Sequence, residues 1–304
     1  MINARTLLLL SVLLLSMPTQ AAQSDIAQRA QRVEVLSQQW PRPDDIPYAA
    51  AMRREYEAAF GDIDDAEHLR GESDEDLKLH WRAVENAAFY SADGDLADAA
   101  VRVFDELEKR GLADARATDR LFNFLLKARR FDAARTFAAS HGQAGLPGVP
   151  RFIDAGSDGL PSVWRFDADG SRAERVGIDL QPLQIIVAAG CHFSADAAKD
   201  IAKDPVLGPV FERHAHWLSP QPGGEKLDAL AEWNRSHPQT PMLAMHDRGE
   251  WTLIPQWVMP TFAIVKDGKV IDSTDGWDST SPESRNQLVA LLQRVGLLEA
   301  DTQR

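Results

Sequence analysis

Halfway along the chain the hydrophobic pattern changes period. Before that point apolar residues recur every three or four positions; after it they come in short continuous runs. The changeover, GQAGLPGVPRFIDAGSDGLP (142–161), holds five glycines and three prolines. A helix repeats its faces every 3.6 residues and a strand every two, so one pattern cannot serve both. The sequence therefore predicts a helical segment over 23–141, a linker over 142–161 and an α/β segment over 162–304.

In the helical half, Leu77, Trp81, Val84 and Ala88 lie on one face of a helix, and Leu96, Ala99, Ala100, Val103, Phe104 and Leu107 on one face of the next. Breaks are expected at Gly94-Asp95 and at Arg129-Arg130. Aligning Leu96-Ala97-Asp98-Ala99 with Phe131-Asp132-Ala133-Ala134 gives an offset of 35 residues, against 34 for a tetratricopeptide repeat. Tyr90 falls where such a repeat places its tyrosine, while the repeat's Trp and Gly positions are not filled. The segment resembles a short tetratricopeptide-like module, whose usual role is to hold a partner; plain antiparallel helical hairpins of this length give the same offset.

The first residues place Arg5 before an apolar run at 7–15 and small residues around Thr19-Gln20-Ala21. This pattern predicts a secretory signal peptide over 1–22, and with it a periplasmic protein without stable membrane insertion after cleavage; an uncleaved anchor is the alternative. The formal net charge is −13, with 33 basic against 46 acidic residues and no basic run. Nucleic acid is not an expected partner, because neutralising phosphates takes clustered Lys and Arg. One cysteine in 304 residues excludes an internal disulfide. In an oxidising compartment it is a free or an intermolecular thiol.

That cysteine sits in IIVAAGCHFSADAAKDIAK (185–203). An apolar run typical of a buried strand ends at Gly190, and Phe193, Ala197 and Ile201 then mark a helix with Cys191 in its first turn. The unpaired N–H groups of a helix start favour thiolate over thiol, and a protonated His192 would add to this. Upstream, VWRF and RAERVGI flank the turn Asp167-Ala168-Asp169-Gly170 as a hairpin. Downstream come a strand near 214–218, a helix over 225–236, a hairpin PTFAIVKDGKVI (260–271) turning at Asp267-Gly268, and a last helix carrying Leu288, Leu291, Leu292 and Val295.

The order strand, thiol-bearing helix, strand, helix, proline-initiated hairpin, helix resembles the thioredoxin fold over about 162–298. Cys191-His192-Phe193-Ser194 stands where that family has C-x-x-C, and Met259-Pro260-Thr261 where it has a cis proline beside the active site. The resemblance implies catalytic roles for Cys191, His192, Ser194 and Pro260, and a groove for a protein client or redox partner formed by Phe193, Trp257, Met259 and Thr261. It implies no cofactor. Ser194 stands at the resolving position and cannot be oxidised, and Gly190 replaces the usual tryptophan. CHFS is closer to the C-x-F-S pattern of monothiol glutaredoxins and monothiol disulfide isomerase relatives, which form mixed disulfides through one cysteine.

Each residue also has a plainer reading. Cys191 is then an inert core thiol, Ser194 a helix cap, His192 a surface residue, and the chain a non-catalytic binding module with a degenerate thioredoxin domain. A copper or zinc site from Cys191, His246 and a His214-x-His216 strand is a weak pattern without a fixed third ligand, and no metal is expected.

Overall fold

The structure is a computed structural model that describes residues 24–39, 44–142, 145–167, 169–220 and 227–299. The expected signal peptide lies outside the described residues.

Among the described residues seven helices come first: α1 (Asp25–Ser37), α2 (Asp45–Phe60), α3 (Ala66–Gly71), α4 (Asp74–Tyr90), α5 (Gly94–Lys109), α6 (Ala115–Lys127) and α7 (Phe131–Ser140). Short polar side chains start most of them. Ser24, Asp65, Ser73, Asp93 and Asp114 each accept a backbone N–H of the first turn, which satisfies donors that the helix itself cannot. Three acidic residues in the first turn of α4 oppose the positive end of its dipole. α4 packs on α1, α2 and α5, and α6 on α5 and α7. The expected break at Gly94 lies slightly earlier: residues 91–93 form it, and Gly94 opens α5 because Asp93 caps it.

The break after α6 falls at Arg129, as the sequence predicts. Its φ is +61°. The Arg130 N–H reaches the Leu125 carbonyl at 2.8 Å and the Arg129 N–H the Leu126 carbonyl at 3.0 Å, a helix end that usually uses glycine. Here the arginine pairs with Asp247 at 2.8 Å, which ties this end to the second half of the chain.

That half is a mixed eight-stranded sheet with helices. Its elements are β1 (Arg151–Ile153), β2 (Ser162–Phe166), β3 (Arg172–Gly177), β4 (Gln184–Ala188), α8 (His192–Lys203), α9 (Leu207–His214), β5 (Ala215–Ser219), α10 (Leu227–Ser236), β6 (Met242–Met245), β7 (Thr261–Lys266), β8 (Lys269–Asp275) and α11 (Pro282–Arg294). The strand order is β1-β3-β2-β6-β5-β4-β7-β8. β4, β5 and β6 run parallel, β7 antiparallel to β4 and β8 antiparallel to β7. The β2–β3 hairpin and the β7–β8 hairpin stand where the sequence predicts them.

Three expectations need correction. The stretch 142–161 is not purely a linker: Arg151–Ile153 forms β1, parallel to β3. Phe152, half-buried, stacks on Phe131 of α7, centroids 3.6 Å apart, and meets Trp164 of β2 edge-on at 5.0 Å, so aromatic packing overrides the glycine-rich context. Second, Met242–Met245 adds a parallel strand that the sequence order lacks. Third, His214 ends α9 while His216 lies in β5, so the two do not share a strand.

β4 is buried along its whole length, and its side chains alternate between two apolar clusters. Ile185 and Val187 join the cluster containing Ala197 and Ile201 of α8, Leu291 of α11 and the helical-layer core, which is continuous from Ala30 to Leu292. Ile186 faces the opposite cluster with Trp251 and Ile254. Among the described residues no helix is long and apolar enough to cross a membrane.

Candidate thiol site

Where β4 ends, the chain must turn sharply into α8. Ala189 continues the ladder by donating to the Leu218 carbonyl at 2.7 Å, and Gly190 then takes φ +128°, a conformation L residues rarely adopt. A tryptophan here would be strained, which accounts for the glycine. Cys191 follows as the N-cap of α8, half-buried, without a side-chain cap bond.

The register of β4 and β7 supplies the facing wall. Ala188 pairs with Thr261, so the residues before Thr261 lie beside those after Ala188. The Met259–Pro260 peptide is cis, and the Met259 carbonyl oxygen lies 3.5 Å from the Cys191 sulfur. The Ser194 hydroxyl, one turn into α8, stands 3.3 Å from the same sulfur. A thiol here donates to the Met259 carbonyl or to Ser194; a thiolate can only accept, and the Ser194 O–H is then its donor. Ser194 is fully buried, and its predicted capping role falls to the Cys191 position.

The other predicted residues gather around this contact. His192 and Phe193 are exposed, their rings 3.9 Å apart, and Phe193 is 50% exposed. Pro260 is buried. Thr261 Oγ1 lies 2.9 Å from the Val258 carbonyl and 2.5 Å from Asp275 Oδ1, fixing the loop just before β7. Trp257 donates its indole N–H to the Ala189 carbonyl at 3.4 Å.

No protein-family model, curated protein or solved structure matches this chain.

The histidines considered for a metal are spread apart. His216 sits level with Ile186 in the parallel β4–β5 pair, five residues back from Cys191, roughly 15 Å along the strand. Burial lowers its pKa. His246 lies beyond the end of β6 with Nδ1 2.9 Å from Glu250 Oε1. Among the described residues no group of three or more His, Cys, Asp or Glu is placed to hold a metal ion.

Sequence reasoning missed the helical half's part in this site. The Trp257 backbone N–H donates to Asp45 Oδ2 of α2 at 3.0 Å, and Arg248 pairs with the same oxygen at 3.1 Å. Arg248 also lies over the Trp257 ring, 5.5 Å from its centroid. Beside these residues a half-open cavity of about 510 Å³ runs between the helical layer and the sheet. Lys127, on its wall, donates to the Phe89 carbonyl, and burial pushes its pKa down to about 8. No local motif marks these partners, since residues about 200 positions apart meet only after folding.

Proposed function

We propose that this chain is an exported, thioredoxin-like protein that forms mixed disulfides with protein clients through Cys191 alone. In this reading residues 23–141 are a tetratricopeptide-like partner-holding unit and 162–304 a thioredoxin-like one, and export rests on Arg5 and the apolar run at 7–15. The observation that carries the proposal is the position of the sulfur: at the start of α8, directly after the fully buried strand β4, between the Ser194 hydroxyl and the Met259 carbonyl. The order of strands and helices around it supports the same reading.

The chemistry is thiol–disulfide exchange. Cys191 gives up its proton, and the thiolate attacks one sulfur of a client disulfide. A new Cys191–client S–S bond forms as the client's S–S bond breaks, and the departing client sulfur leaves as a thiolate that takes up a proton. Electrons balance within the exchange, so no outside oxidant enters. Ser194 cannot attack the mixed disulfide. Release therefore requires a second thiol, from the client or from a redox partner, and the intermediate is long-lived.

Mixing the protein with a disulfide-bonded peptide and separating the products without reductant should give a covalent adduct, reversed by dithiothreitol and lost in Cys191→Ser. An unreactive Cys191 in the folded protein would sink the proposal. The second reading, a binding module without redox chemistry, is favoured by the buried Ser194 at the resolving position, and that result would leave it as the remaining reading.

A further inference from the structure

Trp257 links the turn that carries the thiol to a cavity between α2, the α4–α5 turn and the loop that precedes β7. Tyr48, Phe89, Lys127, Met245, Arg248 and Trp257 are among its walls. We propose that this cleft receives a bulky apolar side chain, aromatic by preference, of the client segment whose disulfide Cys191 attacks. The inference rests on the thiol reading above and names the substrate class for that site.

Position is the first argument. Trp257 forms part of the cavity wall and its indole is bonded to the Ala189 carbonyl. Ala189 is two residues from Cys191, at most about 7 Å of extended chain. A peptide engaged at the sulfur can therefore place a neighbouring side chain in the cleft.

Size and chemistry agree. At about 510 Å³ the cavity falls in the range of pockets that take drug-sized organic groups, ample for one large side chain. Its walls are aromatic on both sides, with Tyr48, Phe89 and Tyr90 from the helical layer and Trp257 from the loop. Tyr48 and Tyr90 already meet edge-on at 4.9 Å, the geometry a further ring would adopt. The wall carboxylates are paired with arginines, two of them on the wall as well: Asp45 with Arg248 at 3.1 Å, Asp247 with Arg129 at 2.8 Å and Asp93 with Arg53 at 3.3 Å. They present arginine-neutralised groups rather than bare negative charge to an entering ring.

Large apolar side chains are left uncovered along the same region. Phe89 on the cleft wall is 49% exposed, with the Arg120 guanidinium 5.6 Å and the Lys127 ammonium 5.8 Å from its ring centroid. Val258, next to Trp257, is 47% exposed, and Phe193, two residues past Cys191, is 50% exposed. Of these, Phe89 lines the cavity itself, while Val258 and Phe193 adjoin Trp257 and Cys191 in sequence; an exposed ring on a cavity wall is the kind of apolar surface that a ligand covers.

The test compares three probes on the full-length mature protein: hydroxyethyl disulfide, a disulfide-bonded peptide with Trp three residues from its cysteine, and the same peptide with Gly there. The Trp peptide should form the Cys191 adduct about tenfold or more faster than the Gly peptide, the effect of burying one large apolar group. In Ala49→Trp, which fills the cleft from α2, the ratio of the two rates should fall to about one. A cysteine-free Trp peptide, titrated by calorimetry, should bind the wild-type protein more tightly than its Gly counterpart. Equal peptide rates together with equal binding would overturn the cleft; should Ala49→Trp fail to fold, the wild-type comparisons alone decide. Failure of hydroxyethyl disulfide to react strikes instead at the thiol reading, and with it at the cleft as a substrate site.

Discussion

The buried Ser194 hydroxyl stands 3.3 Å from the Cys191 sulfur, on the first turn of the helix that the cysteine opens. The spacing of three residues was visible in the sequence. What the fold adds is burial, which makes this hydroxyl the donor that an anionic sulfur has at hand. A hydrogen bond to a charged group contributes about 1.5–3 kcal/mol. Ser194→Ala should therefore slow adduct formation about tenfold at fixed pH, measured by mass spectrometry of the trapped species. Ser194→Cys should instead shorten the adduct's life, because a resolving thiol then stands where the hydroxyl was; adducts equally persistent in Ser194→Cys would contradict that role.

Gly190 carries a backbone demand. At φ +128° any side chain is strained, and Gly190→Ala is expected to cost about 1–3 kcal/mol. Urea denaturation of the two proteins checks this. A neutral effect would mean that the turn into α8 can be made another way.

Phe152 anchors β1 between Phe131 and Trp164. Phe152→Ala should destabilise the protein by about 2–4 kcal/mol, since it removes a ring packed on two others. The measurement is the unfolding midpoint, and a loss below about 0.5 kcal/mol would show that β1 is only laid against the sheet.

His216 gives the protein an acid-side pH dependence. Burial lowers its folded-state pKa below the ~6.5 of an unfolded chain. The unfolded state then binds the proton more readily, so this contribution to stability is complete above about pH 6.5 and is lost as pH falls. His216→Gln should show a smaller decrease in Tm between pH 7 and pH 5 than the wild-type protein. Parallel curves would place the acid sensitivity of that range in other groups; Asp204 acts only at lower pH, because its folded-state pKa lies under the ~3.9 of an unfolded aspartate. Burial opposes the lowered pKa of that carboxylate, and its bonds with Arg285 and the Leu207 and Val206 N–H groups outweigh it.

The parts legible in the sequence were those whose pattern is local and repeated. β4 announced itself as an unbroken apolar run, α8 by Phe193, Ala197 and Ile201, and the two hairpins by Asp-Gly turns. β6 was not legible because MLAM is four residues without alternation, and because its pairing with β5 and β2 is decided far away in sequence. β1 hid among glycines and prolines, where only the partners of Phe152 reveal its purpose. The His214-x-His216 spacing misled because a helix ends between the two rings. Arg248 and Asp45 illustrate the general limit: an arginine's partner is chosen by the fold, not by its neighbours in the chain.

Asp45 binds both the Trp257 N–H and the Arg248 guanidinium. It thereby governs the loop whose far end supplies the Met259 carbonyl to the sulfur. The thiol's immediate surroundings are consequently inherited in part from a residue that precedes every strand of the sheet. A chain that kept the CHFS stretch but replaced the start of α2 would carry the same cysteine in a different setting.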